Sequence, residues 1–115
     1  MTGLHGPVKH GNKKENKKLR AALVQERTKL TSPLKKEVDK LEAFIMETEE
    51  ALEGHHKALI EASNAGDNVK IMDLSKLVST LENEVEEKFD RMAEAQGELD
   101  EILEEFEGKL AELEG

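Results

Sequence analysis

The sequence predicts an all-α protein that folds as an antiparallel two-helix coiled-coil hairpin. In two long stretches, apolar residues recur at alternating steps of three and four, which is the spacing of a coiled-coil seam. A short polar segment around Gly66 separates the stretches. Of the 115 residues, 37% are charged and 3% are aromatic, which is typical of long helices and leaves too little bulk for a sheet sandwich.

The first helix carries a heptad seam that begins at Leu34. Pro33, just before it, favours either a helix start or a kink, because proline in the first turn gives up no intrahelical hydrogen bond. Two seam positions, Thr48 and His55, are polar, and we expect them to help fix the register. The predicted seam comprises Leu34, Val38, Leu41, Ile45, Thr48, Leu52, His55, Leu59 and Ala62.

A turn is predicted near residues 64–68, where the first seam stops. Gly66 can adopt the left-handed conformation that ends a helix. Asp67 or Asn68 can cap the helix that follows. Two amphipathic helices joined by so short a loop fold back on each other, because neither can bury its apolar stripe alone.

The second helix carries a longer seam, with a doubled four-residue step around Val85 that predicts a local stutter. With the turn at Gly66, residue i faces roughly residue 133 − i, so Ile45 is expected near Phe89. The predicted seam comprises Ile71, Leu74, Val78, Leu81, Val85, Phe89, Met92, Gln96, Leu99, Leu103, Phe106, Leu110 and Leu113.

This register divides the chain into three predicted segments. Residues 34–115 form the hairpin, and the end of its second helix extends past Leu34. We therefore expect residues 13–33 to form a basic helical linker that docks on that end through Leu19, Leu23 and Leu30. Residues 1–12, which are rich in glycine, are interpreted as a disordered linker or a cloning remnant.

Several chemistries have no sequence signal. The chain has no cysteine, so it offers no disulfide and no thiolate zinc site, and no apolar run reaches the ~20 residues that span a bilayer. It has no Walker phosphate loop. His55 and His56 are adjacent and point about 100° apart on a helix, so they cannot chelate one ion together. A two-helix hairpin also lacks a cleft to tune paired carboxylates. We expect no enzyme activity, metal or cofactor in this chain.

Charge is distributed very unevenly. Residues 1–36 hold ten Lys or Arg and two Glu, a net of +8, whereas residues 37–115 carry −17. A basic arm of this kind can neutralise successive phosphates without reading base sequence. The predicted nucleic-acid-binding residues are Lys13, Lys14, Lys17, Lys18, Arg20, Arg27, Lys29, Lys35 and Lys36. An alternative is that these cations pair with the acidic residues 98–115, which carry −7.

The basic stretch that leads into Pro33-Leu34-Lys35-Lys36-Glu37-Val38, with Leu41-Glu42 after it, resembles the C-terminal region of ABC-F family ATP-binding proteins, the Uup/YheS-like branch of the ABC ATPases. Leu81-Glu82 and Glu94-Ala95-Gln96 in the second helix agree with it. The resemblance implies an accessory domain of a larger cytoplasmic ATPase, with ATP and Mg bound in upstream ABC domains of the same polypeptide.

By the same resemblance, the expected partners are DNA or ribosomal RNA, or the ribosome itself, contacted through the basic arm, with no membrane partner. The composition leaves a second function open: a structural spacer or a hairpin for protein–protein interaction that binds no nucleic acid. The sequence alone does not separate DNA from RNA or protein as the target.

Overall fold

The computed structural model describes residues 13–114, and they form two long α-helices packed as an antiparallel hairpin. Helix α1 spans Lys13–Ala65 and helix α2 spans Asn68–Glu114. Within this range 98% of the residues are helical and no strand occurs, which confirms the predicted fold class. The interpretation of residues 1–12 lies outside the described residues.

The connection between the helices is a tight turn at Gly66 and Asp67. Gly66 has a φ of 67°, the left-handed conformation that the sequence predicts there. Its amide donates to the Ser63 carbonyl (3.2 Å), and the Asp67 amide donates to the Ala62 carbonyl (3.0 Å), which together form a Schellman motif. Asp67 then caps α2, because one of its carboxylate oxygens accepts a hydrogen bond from the Lys70 amide at 3.2 Å.

The hairpin divides into two compact units. Of the described residues, unit 1 holds 13–36 together with 95–114, and unit 2 holds 37–94. Helix α1 continues through Pro33 without a break, so the interpretation of Pro33 as a helix start is wrong. In the part of the chain that the structure describes, no helix is long and apolar enough to cross a membrane.

Unit 2 is held by the predicted seam of α1. Val38, Ile45, Leu52 and Ala62 are all buried, and Val78 is the buried apolar residue of α2 in this unit. Thr48 is also buried, and its hydroxyl donates to the Phe44 carbonyl at 2.7 Å, four residues earlier in the helix.

Two contacts on the flanks of unit 2 follow the predicted antiparallel register. The Arg91 guanidinium donates to both carboxylate oxygens of Glu37, at 2.6 and 2.7 Å. The Lys88 ammonium lies 5.4 Å from the centre of the Phe44 ring. The predicted register pairs residues whose numbers sum to about 133, and the numbers in both pairs sum to within a few residues of that value.

The buried face of α2 differs from the prediction after Val85. Phe89 is 45% exposed and Gln96 is exposed, whereas Ala95 is fully buried and Lys88 is half-buried. The inward-facing positions therefore run Val85, Lys88, Met92, Ala95, Leu99, Ile102 and Phe106, which keeps the steps of three and four in alternation. The stutter predicted at Val85 is wrong, because Lys88 continues the regular spacing with its aliphatic stem while its ammonium reaches the Phe44 ring.

Unit 1 packs the first part of α1 against the last part of α2. Phe106 is its largest fully buried side chain, and Thr31 and Ala95 are buried as well. The Asn16 side-chain amide donates to the Leu113 carbonyl at 3.5 Å, and Arg20 forms an ion pair with Glu114 at 3.2 Å.

The α1 residues that face α2 in unit 1 are only partly those expected. Leu23 is half-buried, but Leu19 and Leu30 are 48% and 47% exposed, so their assignment as packing residues is wrong. The three–four spacing continues backwards from Leu34 through Thr31, Arg27, Val24 and Arg20. Continuity of the heptad therefore outweighs the apolar character of Leu19 and Leu30.

Candidate nucleic-acid interface

The nine predicted cations all lie on the first part of α1, within unit 1. Arg27 is half-buried and the other eight are exposed. At about 100° per residue, six of the lysines fall within an arc of about 120° on one side of the helix. We call this set the cationic strip; its members are Lys14, Lys17, Lys18, Lys29, Lys35 and Lys36.

The remaining three cations, Lys13, Arg20 and Arg27, have a different orientation. They lie next to the strip, on the side of α1 that faces α2 in unit 1. Arg20 and Arg27 line a groove between the helices together with Leu103, Glu107 and Leu110. The two arginines occupy seam positions, and their side chains are too long to be enclosed there, which leaves the groove open.

Charge pairing within unit 1 is sparse. The described part of α1 carries +7 in unit 1 and the facing part of α2 carries −7. Among residues 13–114, Arg20 is the one predicted cation with an ion pair to a carboxylate, the 3.2 Å contact with Glu114. Lys109 is the basic residue among the acidic residues 98–114 of α2, and it forms an ion pair with Glu105 of the same helix at 3.2 Å. Among the described residues, no ion pair therefore joins the cationic strip to the acidic residues of α2.

The perturbed carboxylate of the chain belongs to the hairpin scaffold in unit 2. The hydrogen bonds from Arg91, and secondarily its positive charge, lower the pKa of Glu37 below its ordinary value. Arg91 also contacts Glu94 at 3.2 Å, one turn further along α2. This cluster is an ion-pair network on the helix flank.

Metal chemistry has no geometric support in the described range. No group of three or more histidine and acidic side chains converges there in a way that could hold an ion. His55 is half-buried at its predicted seam position and His56 is exposed.

The chemistry of the strip suits contact with the phosphates of a polyanion and offers no stacking surface for bases. Its lysines present ammonium groups on flexible stems, and residues 13–36 contain no aromatic side chain on which a base could stack. Sequence reasoning found all six of its members, but it missed the hydroxyl groups of Thr28, Thr31 and Ser32 beside them. Of the three, Thr31 alone lies on the three–four spacing continued backwards from Leu34, which is a signal of position and not of apolar character.

Comparison with known proteins adds no relative: no protein-family model, no curated protein and no solved structure matches the chain.

Proposed function

We propose that this chain is an accessory helical hairpin that binds DNA or ribosomal RNA nonspecifically through the cationic strip of α1. The observation that carries the proposal is the strip itself: six exposed lysines on one side of a helix, for which no carboxylate partner is found among residues 13–114. From Lys14 to Lys36 the strip extends about 33 Å at 1.5 Å per residue, comparable to one turn of a nucleic-acid duplex.

The balance of charges supports binding at the first part of α1, which carries the strip. Exposed ion pairs contribute only ~0–1 kcal/mol each, so the acidic part of α2 competes weakly with a polyphosphate. Unit 2 carries 16 acids and six bases, a net of −10, which repels nucleic acid. Contact is therefore confined to the first part of α1.

The proposal extends to the protein of which this hairpin is part. The resemblance of the segment around Pro33 and Leu34 to the C-terminal region of ABC-F ATP-binding proteins supports a role as a module of such an ATPase. In that setting ATP and Mg bind to the ABC domains, and the hairpin supplies the contact with ribosomal RNA or DNA in the cytoplasm.

A charge-reversal experiment tests the binding surface. The test variant changes four members of the strip, Lys14, Lys17, Lys18 and Lys29, to Glu, and the control changes Lys40, Lys57, Lys70 and Lys76 to Glu. Both variants alter the net charge by the same amount, and all eight lysines are exposed. Binding to a DNA duplex and to ribosomal RNA fragments is measured by mobility shift and by fluorescence anisotropy over a range of salt concentrations.

We expect the wild-type chain and the control to bind, with a log–log salt slope near −4.5 if about five phosphates are neutralised. The test variant should lose binding. Equal binding by the test variant and the control, or no binding by the wild-type chain at ~50 mM salt, would contradict the proposal.

A second candidate function, protein–protein interaction, draws on exposed apolar side chains in unit 2. Ile60, Val69 and Met72 lie within six residues of the turn and are 62%, 72% and 60% exposed. Large exposed apolar residues grouped in one place favour a protein contact. If the wild-type chain binds no nucleic acid, the protein–protein interaction function is favoured. Alanine substitutions at Ile60, Val69 and Met72 should then weaken binding to a protein partner.

A further inference from the structure

A small recess in unit 1 has a lining that differs from the rest of the acidic protein. It is formed by Arg27, Thr28, Thr31, Ser32, Lys35 and Leu103. Two of these side chains are cationic, three carry hydroxyl groups and none is a carboxylate. Electropositive walls with several hydroxyl donors are the chemistry that recognises an oxyanion.

Thr31 is the unusual member of this lining. It is 4% exposed, yet no hydrogen bond to its hydroxyl is found within residues 13–114. Two other helical threonines behave differently, since Thr28 donates to the Val24 carbonyl at 3.0 Å and Thr48 donates to the Phe44 carbonyl at 2.7 Å. A buried hydroxyl without a partner is unfavourable, and a ligand oxygen in the recess would satisfy it.

Arg27 brings the positive charge to the same place. It occupies a seam position and is half-buried, and no ion pair to it is found in the described part of the chain. Its planar guanidinium offers several N–H donors, and Lys35, about two helical turns further along α1, lines the same recess. Charge-assisted hydrogen bonds of this kind are stronger than neutral ones.

We propose that this recess is a phosphate subsite, in which Arg27 and Lys35 neutralise one phosphate group while the Thr31 and Ser32 hydroxyls donate hydrogen bonds to its oxygens. The inference rests on the proposed function, since it assigns one backbone phosphate of the bound nucleic acid to a defined place. Free phosphate has the same chemistry, and the experiment below separates the two sources.

The first arm uses inorganic phosphate and the isolated protein. Backbone amide shifts of the 15N-labelled chain are followed during a phosphate titration, with chloride at equal ionic strength as the reference. We expect saturable shifts confined to residues near 27–35 and to Leu103. Thr31→Val, which keeps the side-chain volume, should weaken this binding about tenfold or more, and Thr31→Ser should restore it.

The second arm uses the nucleic-acid duplex. Because Thr31→Val removes no charge, it should lower the affinity and leave the salt slope unchanged, whereas Arg27→Gln should reduce the slope by about one. The control is Thr48→Val, an equally buried threonine in unit 2, which should change neither binding nor slope. Circular dichroism confirms that each variant keeps its helix content.

The outcomes separate the two proposals. If phosphate produces only weak shifts spread over all lysines, or if Thr31→Val binds both phosphate and duplex as the wild type does, the subsite is wrong even where nonspecific duplex binding persists. If phosphate binds at the recess and the duplex does not bind at all, the subsite stands as a site for free phosphate and the proposed nucleic-acid function fails.

Discussion

Replacing Phe106 with alanine tests which face of α2 is buried. Phe106 is 1% exposed in unit 1, so its truncation removes a fully buried ring and leaves a cavity, at a cost of about 3–5 kcal/mol. The Lys109 ammonium lies 4.7 Å from the centre of the Phe106 ring, and the alanine variant loses this cation–π contact as well. A loss of this size is a large share of the ~5–15 kcal/mol by which domains are usually stable.

The matched control is Phe89→Ala, in the same helix. Phe89 is 45% exposed, so its truncation should cost roughly 1 kcal/mol, about half the value of a fully buried side chain. The free energy of unfolding of both variants and of the wild-type chain is measured by urea denaturation at low temperature. Helix content is monitored by far-ultraviolet circular dichroism. If Phe89→Ala lowers the free energy of unfolding as much as Phe106→Ala does, the buried face assigned to α2 is incorrect. The seam would then run through Phe89, with the stutter at Val85 that the sequence predicted.

The remaining predictions concern the turn and the Glu37–Arg91 ion pair. Gly66→Ala should destabilise the hairpin by about 1–2 kcal/mol because φ is positive at that residue. Gly97→Ala, with open space around the added methyl group, should stabilise it by about 1 kcal/mol because alanine favours the helix. Urea midpoints that shift in the same direction for both variants would contradict this prediction. Because the pKa of Glu37 is lowered in the folded state, its contribution to stability is present at neutral pH and is lost as the pH falls from about 5 through the folded-state pKa. Glu37→Gln should remove that part of the pH dependence measured by urea unfolding between pH 7 and acid, and an unchanged profile would show that the ion pair does not act in solution.

The parts of the fold that sequence reasoning predicted are those set by local physical chemistry. The turn follows from the conformational freedom of Gly66 and the capping carboxylate of Asp67, and both act within a few residues of the chain. The α1 seam from Val38 to Ala62 follows from regular apolar spacing, with the hydroxyl of Thr48 satisfied inside its own helix.

The parts that the prediction missed depend on how the two helices meet. The pattern favours Phe89 because it is large and apolar, but the structure buries Ala95 and half-buries Lys88, whose ammonium lies 5.4 Å from the centre of the Phe44 ring. Leu19 and Leu30 are strong apolar signals, yet the heptad places Thr31 and Arg27 inward instead. The recess lined by Arg27 and Thr31 was not predicted either, since polar residues at seam positions give no hydrophobic signal.

The central claim is that one chain folds back on itself at Gly66 and brings the first part of α1 beside the end of α2. Electron–electron distance measurement with nitroxide labels on Ala22→Cys and Glu112→Cys tests it directly, because both positions are exposed and the chain has no other cysteine. The labelled chain is diluted into an excess of unlabelled protein, so that only distances within one molecule are seen.

The fold predicts a single narrow distance within about three helix diameters, roughly 30–35 Å including the label tethers. An unbroken helix would separate the two positions by about 135 Å at 1.5 Å per residue. Loss of the short distance on dilution, together with close contacts between chains labelled at position 22 alone, would show a parallel dimer of rods and contradict the hairpin.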